Sequence, residues 1–245
     1  MLFSRFESDF LGIKIGRYSS LDLDISLIKK AMDEEKLDVC RIKVSASNLT
    51  VNQQLKKLNL PFYFGGGIAN YIMHTTDINS GPFLNDGIEF KEALSEDAEI
   101  LDNLIKQAFL ADPMGYYKIP GVEKYFDKKE EAACLAAWHV NLIDSPDHLM
   151  YLSKIENEYN GFISIYKDSE RSVTTPIAGV LPSCRRKDIF HDLVVYRQRY
   201  CQKNKLDFGL QGARLANFYS QKVFIDEGVK PVNIDLIYYV TRVGF

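Results

Sequence analysis

Residues 180–200, VLPSCRRKDIFHDLVVYRQRY, run from an apolar strand through a turn of three cations straight into a long amphipathic helix. A helix that begins where a strand ends presents unpaired backbone N–H groups and the positive end of its dipole at that junction. Arg185, Arg186 and Lys187 add full charges there, so the junction suits a phosphate. A second strand, 207–211, leads to a helix carrying Asn217, Phe224 and Gly228 at spacings of seven and four.

Composition narrows the classes that remain. The chain has 245 residues, 46% hydrophobic and 26% charged, which is ordinary for a globular protein of one large or two modest domains. A net charge of −3 speaks against broad nucleic-acid or anionic-membrane binding, so neither partner is expected. Cys40, Cys134, Cys184 and Cys201 stand far apart and form no metal-type spacing with the four histidines, so neither a metal centre nor a disulfide framework is expected. The opening MLFSRFESDF lacks the layout of a signal peptide, and no apolar run approaches the ~18–20 residues that span a bilayer. A cytoplasmic location is the expectation.

Hydrophobic periodicity predicts a strand at 12–18, a helix at 23–36, a strand at 40–46, a short helix through Leu58 and an extended segment at 61–73. The stretch TTDINSGPFLNDG, 75–87, is dense in turn formers and reads as a linker. Beyond it the pattern restarts: a strand at 88–94, a helix capped by Ser95 through Leu110, a loop at 112–121 and a helix at 122–143. Strands at 149–155, 161–166 and 175–182 precede the cationic turn, and a strand pair at 232–243 closes the chain. This order predicts a mixed α/β sheet flanked by helices. Asn48, Leu55 and Asn59 repeat the spacing of Asn217, Phe224 and Gly228, a faint internal echo.

The strand, basic turn and Asn217 helix resemble the coenzyme A site of the GNAT superfamily of N-acetyltransferases. FESDFLGIKIGR, KVSASN and the pair Trp138 and Asn141 resemble more narrowly the TDP-fucosamine acetyltransferase group, bacterial enzymes that acetylate a nucleotide-linked amino sugar. The resemblance implies a partial GNAT-like N-terminal domain at 1–80 and an acetyl-CoA-binding GNAT domain at 86–245. It implies that backbone around Val180 and Leu181 meets the thioester and pantetheine, and that Arg185, Arg186, Lys187, Asp188, Ile189 and Phe190 hold the pyrophosphate. Asn217 would orient the pantetheine, with Phe224 beside it.

Two departures from the superfamily pattern stand out. Both motif glycines are lost, at Asp188 and Phe190, and Asp188 reads instead as a helix cap. The residue seven beyond Asn217, usually a tyrosine that protonates the leaving thiolate, is Phe224. Tyr219, Tyr238 and Tyr239 are substitute candidates, and His139 and His148 are candidate bases. Tyr116, Tyr117 and Trp138 are candidate acceptor contacts, since aromatic side chains offer a stacking face and a polar edge together. The implied reaction is acetyl transfer from acetyl-CoA to a small primary amine, such as a TDP- or UDP-amino sugar, with a homodimer among the expected partners. A GNAT fold that binds a metabolite without catalysis, and an acetyltransferase of another small amine, stay open beside it.

Overall fold

The computed structural model describes residues 2–78, 80–110, 123–125 and 127–242. The chain opens with β1 (Leu2–Phe3), α1 (Arg5–Leu11), β2 (Ile15–Ser20), α2 (Ile25–Glu34), β3 (Val39–Ser45), α3 (Val51–Lys56) and β4 (Phe62–His74). β5 (Glu89–Glu92), α4 (Ala98–Leu110), α5 (Lys128–Val140), β6 (His148–Ile155) and β7 (Glu158–Lys167) follow. The last third holds β8 (Ser172–Thr175), β9 (Ala178–Val180), α6 (Ile189–Lys203), β10 (Phe208–Arg214), α7 (Phe218–Asp226) and β11 (Lys230–Thr241). The expected mixed sheet with flanking helices is present.

Contacts group the described residues into two compact units. The first draws on 1–69, 114–134 and 233–245, the second on 70–113 and 135–232. Each unit uses more than one stretch of chain.

In the first unit β1 is antiparallel to β2, β2 parallel to β3, and β3 antiparallel to β11. The side chains of Cys40, Ile42 and Val44 are buried on one face of β3, as the alternation predicts, and pack with Ile28 and Met32 of α2 and Leu55 of α3. Asp24 caps α2 by accepting the Leu27 N–H at 3.0 Å.

In the second unit β5, β6 and β7 form an antiparallel meander. β7 is antiparallel to both β8 and β9, and β8 is parallel to β10. Leu101 and Ile105 of α4 pack with Leu152 and Phe162 in its core. Ser95 does not cap the α4 turn: the Asp97 carboxylate takes the Leu94 N–H at 3.0 Å, and Lys91 Nζ lies 2.7 Å away. The expected closing strand pair is instead the single strand β11.

The turn-rich segment 75–87 is not a bare linker. Arg199 donates to the Gly81 carbonyl, Gln202 Nε2 to the Ile78 carbonyl, and Asp192 accepts from Leu84 and Asn85. Turn formers break regular structure, but their free backbone groups are what polar side chains of α6 hold, so the segment lies as a strap along that helix.

Candidate coenzyme cleft

The strand expected at 175–182 is broken. Tyr166 pairs with Thr174 and Ile163 with Ala178, so one more residue lies on the β8–β9 side than on β7. That extra residue is a β-bulge, and it contains Pro176, which has no N–H for a ladder. Buried Ser164 closes it. Its N–H and hydroxyl both donate to the Ile177 carbonyl, at 2.9 and 3.0 Å, and its oxygen accepts the Ile177 N–H at 2.9 Å.

The bulge sends β8 and β9 to different neighbours. β10 pairs with β8 from Phe208↔Ser172 to Gln211↔Thr175, whereas β9 is paired to β7. Beyond that last rung, β10 has no recorded pairing with β9 among the described residues, and the strands part. The Leu181 N–H donates to the Asn160 carbonyl at 2.9 Å. Antiparallel alternation then turns Gly179 toward β7 as well, and aims the N–H groups of Ala178 and Val180 into the gap. Of the backbone expected at this point, the Val180 N–H faces the gap, the Leu181 N–H is held by β7, and the Ala178 N–H faces the gap as well.

A short 3-10 turn, Pro182–Cys184, leads from β9 into the cationic loop. Arg186 and Asp188 adopt left-handed backbone, with φ of 63° and 57°. Asp188 occupies the first glycine position of the resembled motif, and the loop keeps there the conformation for which glycine is suited; aspartate is among the few other residues that tolerate it. Asp188 is the N-cap residue of α6 but makes no side-chain cap bond, contrary to expectation; its left-handed backbone is not the extended form from which a cap side chain reaches back. The N–H groups of Ile189, Phe190 and His191 meet no acceptor among the described residues, as befits the first turn of a helix.

The three cations divide. Arg185 Nη2 donates to the Ala108 carbonyl at 2.8 Å, in the last turn of α4, where unfilled carbonyls attract a cation. Arg186 and Lys187 are exposed and border the α6 N-terminus.

Behind the turn lies a polar lock that sequence reasoning missed. Asp192 is fully buried and accepts from the Leu84 N–H at 2.7 Å, the Asn85 N–H at 3.1 Å and Asn85 Nδ2 at 2.8 Å. The same Asn85 amide donates to the Lys187 carbonyl at 2.9 Å, tying the strap to the cationic loop. His191 lies between Asp192, 3.1 Å away, and Glu227, 2.8 Å away. Only the Asn-Asp-Gly tripeptide at 85–87 hints at this, and it signals a turn without its partner.

On α7, Asn217 is exposed and caps the helix by accepting the Ser220 N–H at 3.2 Å. Phe224 is 4% exposed, its ring edge-on to Tyr71 at 5.2 Å and 5.9 Å from Phe190. Tyr219 is half-exposed beside Phe190, and burial pushes its phenol above the ordinary value. Tyr71, which the sequence did not single out, donates its hydroxyl to Gln221 Oε1 at 3.1 Å.

Other candidates fall elsewhere. Tyr238 and Tyr239 are buried in the core of the first unit. His139 and His148 are buried with rings 5.2 Å apart, so neither is a surface base. Trp138 is half-exposed on α5, its ring 5.4 Å from His139. Tyr116 and Tyr117 lie outside the described residues. No cluster of metal-ligating side chains occurs among the described residues, and no helix there is long and apolar enough to cross a membrane.

The residues present fit the coenzyme that this arrangement suggests: helix N–H groups and two exposed cations suit a diphosphate, and inward N–H groups in a parted sheet suit an extended amide-bearing arm. No protein-family model matches the sequence, and no curated protein matches it. Solved structures do share its fold. A functionally unknown conserved protein from Staphylococcus epidermidis superposes with a TM-score of 0.66 at 12% identity, over 94% of this chain and 85% of that one. A GCN5-related N-acetyltransferase from Kribbella flavida gives 0.59 at 12% identity, over 91% and 78%. A tandem GNAT protein from the clavulanic acid biosynthesis pathway, solved without AcCoA, gives 0.60 at 8% identity, over 90% and 69%. The fold is that of the GCN5-related N-acetyltransferases.

Proposed function

We propose that this protein binds acetyl-CoA in the gap between β9 and β10 and transfers the acetyl group to a primary amine. The observation that carries this reading is the strand register: pairing that ends at Gln211↔Thr175, with β9 kept on β7, opens the sheet beside a helix N-terminus. When bound, acetyl-CoA supplies an activated acyl group with a thiolate as leaving group. The chain's part is to place it. The N–H groups of Ile189, Phe190 and His191, with Arg186 and Lys187, hold the diphosphate. Ala178 and Val180 donate N–H bonds to the carbonyls of the arm and of the thioester. Asn217 commits its oxygen to capping α7, which leaves its amide nitrogen as a donor toward the arm.

The amine must lose its proton before it attacks. A nucleotide-linked amino sugar, with TDP or UDP, is the acceptor class that the sequence resemblance favours. One observation supports a second reading, a GNAT fold that binds without catalysis: Phe224 has no hydroxyl and is packed between Tyr71 and Phe190.

A melting curve with acetyl-CoA, followed by coenzyme release across a panel of amines, tests both readings. Ligand at a hundredfold above Kd stabilises the native state by about 2.7 kcal/mol. The acetyltransferase reading predicts that shift and coenzyme release with at least one amine, nucleotide amino sugars first. A shift without release from any amine supports the binder, and release only with amino acids or polyamines removes the sugar. No shift with acetyl-CoA or coenzyme A overturns the proposal.

A further inference from the structure

Arg197 of α6 is a fully buried side chain on the helix face that meets the sheet. Gly209 of β10 makes room for it: a Cβ there would lie 3.7 Å from the guanidinium carbon and 2.8 Å from the Met73 side chain. Burial lowers the pKa of Arg197 to about 10, so the group is still charged at neutral pH. A buried charge is normally paired and hydrogen-bonded. Arg197 has no carboxylate partner among the described residues. Its Nη1 reaches the Leu210 carbonyl at 3.5 Å, its Nη2 the Met73 sulfur at 3.8 Å, and its Nε finds no acceptor. Cys201 is not the counter-charge either. Its Sγ would lie 3.7 Å from the same Cβ, but burial pushes that thiol above its ordinary pKa and keeps it neutral.

Two more donors project from the same face of the sheet. Residues two apart on a strand share a face, so Gln211 points beside Gly209 toward α6, and its register partner Thr175 on β8 points with it. Gln211 Nε2 and Thr175 Oγ1 are buried, and neither has a partner. Three unpartnered donors, one of them on a full positive charge, thus gather beneath α6. Native proteins hold few buried polar groups without partners, and each one is costly. A single anion meets both demands, accepting from all three donors and balancing the guanidinium. The tight packing of Met73 against Gly209 suits a monatomic ion better than a branched oxyanion. We propose that Arg197, Gln211 and Thr175 form a buried halide site, filled by chloride, that neutralises the guanidinium and pins α6 to β8 and β10. The site lies where β8 and β10 are still paired, outside the parted strands, so it goes beyond the coenzyme reading and does not depend on it.

The test follows the melting temperature as sodium chloride replaces sodium gluconate, whose anion is too large for the site, at constant ionic strength. An ion bound by the native state alone stabilises it by mass action, so the wild type is expected to melt higher as chloride rises, and bromide should act likewise. Two variants separate the site from the surface. Arg197→Met keeps much of the apolar stem and removes the charge, and it is expected to melt at one temperature in both salts. Gln211→Glu supplies the counter-charge from the chain itself. It is expected to melt above the wild type in gluconate and to gain nothing from chloride. Wild-type crystals grown in bromide are expected to show an anomalous peak between the three side chains. Equal wild-type melting in chloride and gluconate overturns the proposal. A chloride response that both folded variants keep in full also overturns it, since the ion then acts elsewhere. If the variants do not fold, the bromide crystals decide, and no peak between Arg197, Gln211 and Thr175 overturns the proposal.

Discussion

His139 and His148 lie with their rings 5.2 Å apart and are each 2% exposed. Burial lowers the pKa of His139 to about 3 and holds that of His148 below the ordinary value. The unfolded chain has histidines of pKa ~6.5, so between that value and the folded ones it binds more protons than the native state. Stability from the neutral pair is therefore complete above pH ~6.5 and declines as pH falls toward 3. For His139 the loss should be on the order of 3 kcal/mol by pH 4. Urea midpoints across that range check this, and His139→Phe is expected to flatten the slope between pH 6.5 and 4. The sequence shows two isolated histidines and no reason to pair them, because α5 and β6 meet only in three dimensions. Arg185 is similar: its charge is plain in the sequence, but the Ala108 carbonyl that takes it lies 77 residues away.

At the scale of elements, two short features set the cleft. Ser164 makes three hydrogen bonds with Ile177 and holds the bulge that divides β8 from β9. Ser164→Ala leaves the buried Ile177 N–H without its acceptor, and we expect a loss of about 1–3 kcal/mol in chemical denaturation. Asp192 clamps the strap to α6, and Asp192→Ala strands the donors of Leu84 and Asn85. That variant is expected to lose about 3–5 kcal/mol, the scale for breaking a buried charged contact. It should also weaken coenzyme A binding, because Asn85 no longer fixes the Lys187 carbonyl; titration of the folded variant measures this. Most elements were legible from periodicity, including the strand–turn–helix at 180–200. The bulge was not, since an apolar run with a proline reads the same whether its pairing shifts or stops. The echoed asparagines differ in role: Asn217 caps α7 by accepting the Ser220 N–H, whereas Asn48 accepts the Thr50 N–H two residues on and Thr50 is the N-cap residue of α3.

For the whole molecule, the mixed sheet and the placement of a cationic turn before α6 on its second unit follow from the order of elements, and that order was readable. Asn233 to Thr241 joins the first unit beside β3, a pairing across almost the full length of the chain. Alternation shows that a strand exists but not which strand it meets. The central claim is that the gap between β9 and β10, with the α6 N-terminus, is where acetyl-CoA binds. Amide chemical-shift mapping during an acetyl-CoA titration tests it most directly, because the proposed contacts are backbone N–H groups. The account predicts that the largest changes fall on Ala178, Val180 and Ile189 to His191, with smaller ones at Leu181, whose N–H is held by Asn160. Saturable changes centred anywhere else, or a spectrum that acetyl-CoA leaves unmoved, would contradict it.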